Sequence, residues 1–171
     1  MLRYLLAFIG SVFLISVAGA QTRVAIAETG CSVEVFCFPG RFDQYPMEDG
    51  SKVFADDCVK DGYTWGILCI ELAHPINNLA AAQDSAISVL DFMRLDNGMV
   101  TSKGYERDKE LPLQKNVRGV SDRWTDDAGE QWKVMAWTNG KLLVVLSVHG
   151  KKEVEARVVN VFLDSIRFPE K

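Results

Sequence analysis

The stretch of sequence that decides the fold is NVRGVSDRWTDDAGEQWKVMAWTNGKLLVVLSVH, residues 116–149. Three runs rich in β-branched and aromatic residues are separated there by two turn sequences, Asp126-Asp127-Ala128-Gly129 and Asn139-Gly140. Residues of the first kind favour strands, whereas Asp, Asn and Gly favour the turns between them. We predict an antiparallel meander with a tight type I′ turn at Asn139-Gly140. Its strands are predicted at residues 116–125, 131–138 and 142–149.

A second hairpin is predicted upstream, where Asp61-Gly62 lies between strand-like runs at residues 52–59 and 63–72. An Asp-Gly pair between two such runs is a strong signal for a hairpin. An alternating run at residues 31–38 predicts one more strand, and the polar residues 41–51 after it predict a loop.

The middle and the end of the chain change to helical spacing. Apolar residues recur three and four positions apart from Leu79 to Met93, and Asn97-Gly98 is typical of the end of a helix. Residues 99–106 predict a strand, and residues 151–166 predict a second helix with one apolar face. That face is marked by Val154, Val158, Val161, Phe162 and Ile166. We expect an α+β fold in which two helices pack on a mostly antiparallel sheet of about seven strands.

The first twenty residues have the pattern of a secretory signal peptide. Arg3 precedes an apolar run at residues 4–17, and Ala18-Gly19-Ala20 suits a signal peptidase. The alternative is a retained anchor, but the run is shorter than the ~20 apolar residues that a spanning helix needs. We predict cleavage after Ala20, a single domain over residues 21–171, a periplasmic or secreted location and no membrane span after cleavage.

The charge of the chain excludes some partners. Removing residues 1–20 takes away one cation, Arg3, and no anion, so the formal net charge changes from −4 to −5. A modestly acidic protein does not bind nucleic acid or anionic lipid through its net charge. We therefore predict no nucleic-acid partner.

Four cysteines follow the predicted signal peptide: Cys31, Cys37, Cys58 and Cys69. An even number in an exported chain favours disulfides, and we predict that at least one forms. Cys31 and Cys37 lie on one predicted strand, roughly 20 Å apart, so they cannot pair with each other. If this strand turns back onto the next one, Cys31 lies opposite Cys58, and Cys37 and Cys69 remain as partners or as buried thiols. The spacings lack the Cys-x-x-Cys pairs that are typical of zinc sites.

Three segments allow a comparison with a known family. They are Phe38-Pro39-Gly40 at the end of the first strand, the charged loop and glycine-containing strand start at residues 110–120 after the mid-chain helix and a strand, and the end of the closing helix at residues 162–168. Their order resembles the PsbP-like family, which includes DcrB-type envelope proteins of bacteria. The resemblance implies an α/β/α sandwich with an antiparallel sheet. It also implies an accessory or binding role without catalysis.

The sequence contains no linear motif for catalysis or for a cofactor. Neither a G-x-S-x-G nucleophile motif nor a glycine-rich phosphate loop is present, so we predict no cofactor and no catalytic residue. His74 and His149 each lie at a predicted strand end without a visible partner that would make them general bases. Asp126 and Asp127 are the first residues to consider for calcium, but acidic residues beside glycine are typical of turns. We predict no metal site.

The tryptophans suggest a binding surface on the meander. Trp124 and Trp132 flank the turn at residues 126–129 and should lie near each other across the strand pair. Trp132 and Trp137 are an odd number of residues apart, so they should face opposite sides of the sheet. One side is core, and the other is predicted to expose aromatic residues for binding, although tryptophan is also common as core filler. The predicted ligand or partner surface consists of Trp124, Trp132, Arg123, Tyr63 and Trp65.

These observations favour an exported, non-catalytic binding or accessory protein of the cell envelope, whose partner is an unknown protein or small ligand. One alternative is an exported hydrolase with a site built from scattered residues, for which His149 or Asp126 would be essential. Another is an immunity or inhibitor protein against a toxin directed at the envelope.

Overall fold

The structure, a computed structural model, describes residues 22–37, 40–152 and 155–170. The predicted signal peptide, Phe38-Pro39 and Val154 lie outside these ranges. Within them the chain forms ten strands and two helices. In chain order they are β1 (Thr22–Ala25), β2 (Ser32–Val35), β3 (Asp43–Pro46), β4 (Lys52–Lys60), β5 (Tyr63–Glu71), α1 (Leu79–Asp96), β6 (Met99–Ser102), β7 (Glu106–Leu111), β8 (Gln114–Asp126), β9 (Gln131–Thr138), β10 (Leu142–Gly150) and α2 (Ala156–Leu163).

The architecture is an α+β sandwich, as predicted. Eight strands form one antiparallel sheet in the order β3–β4–β5–β10–β9–β8–β6, and β7 also pairs with β8. Helix α1 packs on β8 and β9 on one side, which we call the α1 face. Helix α2 and the separate β1–β2 hairpin cover the other side, which we call the α2 face. The sheet therefore separates two apolar cores.

Strand β10 lies in the middle of this sheet and explains why the meander decides the fold. Leu142, Val144 and Leu146 point into the core on the α2 face, and Leu143 and Val145 point into the core on the α1 face. A strand that is covered on both sides needs apolar residues at every position, which matches the continuous run LLVVL. The three predicted meander strands are confirmed as β8, β9 and β10.

The predicted hairpin and the first helix are also present. Asp61 and Gly62 both have positive φ, 56° and 80°, as a tight hairpin turn requires. The Asn78 side chain caps α1 by accepting hydrogen bonds from the backbone N–H groups of Ala80 and Ala81. The helix ends at Asp96, with Asn97 as its C-terminal cap.

The type I′ turn predicted at Asn139-Gly140 is wrong. Gly140 has a φ of 85°, but Asn139 is not among the described non-glycine residues with positive φ. Side-chain hydrogen bonds stabilise this turn instead. Asn139 Oδ1 accepts hydrogen bonds from the backbone N–H groups of Lys141 and Leu142. The Thr138 hydroxyl donates to the Leu142 carbonyl.

Strands β1, β3 and β7 were not predicted from sequence. The side chains of β1 and β3 are almost all exposed, and β7 buries only Leu111 fully. Such strands carry polar residues without apolar alternation, so they resemble loops in sequence. The second helix is shorter than predicted, and it buries Val159, Phe162 and Leu163 while Val161 is 38% exposed.

The cysteine pairing corrects the prediction. Cys37 and Cys58 form a disulfide, with Cα atoms 6.1 Å apart, so the pairing of Cys31 with Cys58 is wrong. Strand β2 pairs with β1 rather than with β4, and it lies over the α2 face instead of joining the large sheet. Cys31 and Cys69 are both buried free thiols.

Candidate functional site

The aromatic surface predicted from sequence is divided between the two faces of the sheet. Trp124 and Trp132 are direct partners across β8 and β9, as expected, and both lie on the α1 face. Trp124 is only 1% exposed, however, and Trp65 only 5%, so both are core residues. Tyr63 and Trp65 pack on the α2 face, because their strand positions alternate with those that face α1. The five predicted residues therefore do not form one surface.

Trp132 belongs to a small polar cluster at the β8–β9 turn. Its ring stacks on His149, with centroids 3.7 Å apart and an angle of 2° between the planes. His149 Nδ1 lies 2.8 Å from Glu130 Oε2. Trp132 Nε1 donates a hydrogen bond of 3.0 Å to Asp126 Oδ2. The structure thus supplies the carboxylate partner for His149 that no linear motif indicates.

The Asp126 carboxylate in this cluster stabilises the β8–β9 turn. Its Oδ1 atom accepts a hydrogen bond from the Glu130 backbone, 2.8 Å long, while Oδ2 accepts the Trp132 indole. Burial tends to raise the pKa of Asp126, but these hydrogen bonds outweigh it, and the pKa lies below its ordinary value. Both oxygens are therefore already engaged by the hairpin. The described residues contain no group of three or more His, Cys, Asp or Glu side chains arranged to hold a metal ion.

A larger site lies on the α2 face, between the end of α2 and strands β7, β8 and β9. We call this space, with a volume of about 500 Å³, the α2 cleft. The charged residues around it are Lys103, Lys109, Arg123, Lys133, Glu106, Asp122 and Asp164. The carboxylate of Asp122 is turned away from the cleft and accepts hydrogen bonds from Ser102 and Trp124. This volume is within the range of pockets that hold small ligands. Arg123, which the sequence placed on a binding surface, is part of this lining.

Two neighbouring strands and the loop after β6 position the cations of the α2 cleft. Arg123 on β8 is the direct cross-strand partner of Lys133 on β9, so both project to the same face. The Lys103 backbone N–H donates a 3.0 Å hydrogen bond to the Arg123 carbonyl, which fixes the loop beside β8. Lys103 and Arg123 are exposed. The cleft lining thus contains more cations than carboxylates, in a chain whose net charge is −4.

Two carboxylates modify this charge in different ways. Lys109 Nζ lies 2.6 Å from Glu106 Oε2, and this bond lowers the pKa of Glu106. Asp164 caps the end of α2 and remains exposed, but partial burial of its carboxyl raises its pKa, although the nearby Lys109 acts in the opposite direction. A carboxyl with a raised pKa that lines a cleft marks a candidate binding site.

The α2 cleft adjoins a second cavity of about 370 Å³ beneath the β7–β8 hairpin. Lys109, Met135 and Asp164 line both spaces. The second cavity is more apolar, and its lining also includes Leu111, Pro112, Leu113 and Trp137. A ligand that spans both would place a charged group among the cations and an apolar part beneath the hairpin.

Most residues of this site were missed from sequence because they come from separate elements. Lys103 follows β6, Lys109 lies on β7, and Asp164 follows α2, and no linear spacing joins them. One signal was available. The turn at residues 126–129 pairs Trp124 with Trp132, and this register places Arg123 opposite Lys133.

None of the helices in the described part of the chain is long and apolar enough to cross a membrane. Comparison of the chain with models of protein families and with curated proteins found no match.

Proposed function

We propose that this is an exported, non-catalytic binding protein of the cell envelope and that the α2 cleft holds an anionic group of its ligand. The observation that carries the proposal is the surplus of cations around a cavity of about 500 Å³, with Lys103 and Arg123 exposed there. Export is supported by the N-terminal sequence pattern and is compatible with the Cys37–Cys58 disulfide, since such bonds persist in oxidising compartments. The resemblance to PsbP-like proteins supports a binding role.

The lining residues suggest the class of ligand. Arg123 offers a planar set of N–H donors that fits a carboxylate or a phosphate, and Lys103 adds a second charge beside it. The adjoining apolar cavity favours a ligand with an apolar part next to its anionic group. We therefore propose a small amphipathic anion as the ligand.

Nuclear magnetic resonance titration tests this proposal. The ¹⁵N-labelled protein is titrated with octanoate, which has both an anionic and an apolar part, and with acetate, which has only the anionic part. Saturable shifts at the amides of Lys103, Arg123 and Asp164 are expected, at lower concentrations of octanoate than of acetate. Absence of saturable shifts at these amides, or shifts confined to the His149 cluster, would show that the α2 cleft is not the site.

Variants provide the control for this titration. Arg123→Gln removes a cation that lines the α2 cleft, and we expect it to weaken the octanoate response. Arg157→Gln is the matched change at an exposed position of α2 outside the cleft lining, and we expect no effect. Equal responses in the two variants would contradict the proposal.

A second candidate function, an exported hydrolase, is favoured by the 2.8 Å contact between His149 and Glu130. A carboxylate that orients a histidine is the arrangement of a general base. Among the described residues, however, no Ser, Thr or Cys side chain is hydrogen-bonded to His149. Hydrolysis of p-nitrophenyl acetate by the protein, abolished in His149→Gln, would favour this function over simple binding.

A further inference from the structure

Two buried thiols on the α2 face have no role in the proposed binding site. Cys31 is 1% exposed and Cys69 is fully buried, and both belong to the core beneath the β1–β2 hairpin. The two thiols interact directly with each other, and the Thr29 hydroxyl adjoins both. Thr29 is itself fixed, because its hydroxyl donates to the Ile26 carbonyl at 2.7 Å and accepts from the Cys31 backbone at 3.1 Å.

The course of β2 over the sheet explains why these thiols meet. Cys58 on β4 lies directly opposite Trp65 on β5. Trp65 and Cys69 are four residues apart on β5, so the levels of Cys58 and Cys69 along the sheet differ by about 13 Å. Cys31 and Cys37 lie on either side of β2, up to about 20 Å apart. The Cys37–Cys58 disulfide fixes one end of this segment above the sheet. The segment is long enough for its other end to place Cys31 beside Cys69.

We propose that Cys31 and Cys69 form a second disulfide in the finished protein. Cys31 and Cys69 are buried free thiols of one core whose side chains interact, and the other two cysteines are already joined to each other. The second bond would connect the start of β2 to β5 and would close the β1–β2 hairpin over the α2 face at both ends. The inference does not depend on the ligand of the α2 cleft.

The chemistry is thiol–disulfide exchange with a disulfide oxidant. The thiolate of one cysteine attacks the oxidant, forms a mixed disulfide and releases one thiol. The second cysteine then attacks the mixed disulfide and releases the other thiol. The two cysteines together lose two protons and two electrons, and the oxidant is reduced to two thiols. Both sulfurs are sealed from solvent in the folded chain, so we expect oxidation before burial is complete.

Thiol counting after oxidative refolding tests the pair. The full chain is reduced in denaturant, refolded with reduced and oxidised glutathione, unfolded again without reductant and treated with iodoacetamide. We expect no alkylated cysteine by intact mass, and a peptide that joins Cys31 to Cys69 after digestion. Alkylation of both Cys31 and Cys69 beside an intact Cys37–Cys58 bond would overturn the proposal, as would a peptide that joins Cys31 to Cys58.

A variant in which one cysteine is replaced keeps the test independent of folding yield. In Cys31→Ser, the partner of Cys69 is missing, so we expect one alkylated cysteine, at Cys69, in the monomeric fraction. The same Cys69 labelling in wild type and in Cys31→Ser would show that Cys69 never pairs.

Discussion

Replacement of Gly119 by alanine should destabilise the protein through a collision with a buried tryptophan that is held by a hydrogen bond. Gly119 on β8 lies directly opposite Trp137 on β9. A Cβ atom at Gly119 would lie 2.5 Å from two ring carbons of Trp137. The ring is 1% exposed, and its Nε1 atom donates a 2.7 Å hydrogen bond to the Leu163 carbonyl. Gly119 is held as well, since its carbonyl accepts a 3.0 Å hydrogen bond from Gln83.

The expected size of this effect follows from the cost of overpacking. Extra atoms in a well-packed core cost about 1–3 kcal/mol. In a domain of this length, each kcal/mol lowers the Tm by roughly 2–4 °C, so the expected loss is about 2–12 °C. Thermal unfolding followed by circular dichroism measures it.

Gly66 provides the matched control. It also lies in a strand, directly opposite Ser147, and a Cβ atom there would lie 2.5 Å from Ser147 Oγ. Rotation about χ1 can move the Ser147 oxygen away from the new methyl group, whereas movement of the Trp137 indole would break its hydrogen bond to Leu163. The entropy gain of Gly→Ala in a strand, about 0.5–1 kcal/mol, applies to both variants. A Tm for Gly119→Ala equal to that of Gly66→Ala would refute the reasoning.

Two further substitutions test the end of α2. Asp164→Asn should raise the Tm near pH 7, because the raised pKa of Asp164 means that its ionised form is disfavoured in the folded state. The wild-type chain therefore gains stability as the pH falls through that pKa. The difference in Tm between Asp164→Asn and wild type should be smaller near pH 4 than near pH 7. An advantage that is equal at both pH values would contradict this assignment. Trp137→Phe should lower the free energy of unfolding in urea by about 1–3 kcal/mol, because it leaves the buried Leu163 carbonyl without its donor; unchanged stability would show that this bond does not hold α2.

The elements predicted from sequence are those that lie inside the sheet or carry clear caps. Strand β10 is covered on both sides and reads as a continuous apolar run, and α1 begins at an asparagine cap. The exposed strands β1 and β3 have no such pattern, since their stability comes from backbone pairing with a neighbour. The predicted pairing of Cys31 with Cys58 was wrong for a related reason. It depended on which strand lies beside β2, and local sequence does not specify that.

The candidate site was predictable only where strand register is local. The turn after β8 aligns Arg123 with Lys133, and this alignment can be read from the sequence. Lys103 and Asp164 enter the α2 cleft from loops that meet only in the folded chain. The contact between His149 and Glu130 likewise requires knowledge of how β10 pairs with β9.

The central claim is that the cations of the α2 cleft bind an anionic ligand, and calorimetric titration with octanoate at low salt tests it most directly. Loss of a charge-assisted hydrogen bond costs about 1.5–3 kcal/mol, so Arg123→Gln should raise the Kd roughly ten- to a hundredfold. Arg157→Gln should leave the Kd unchanged. A Kd that is the same in wild type and both variants, or no measurable binding to wild type, would contradict the claim.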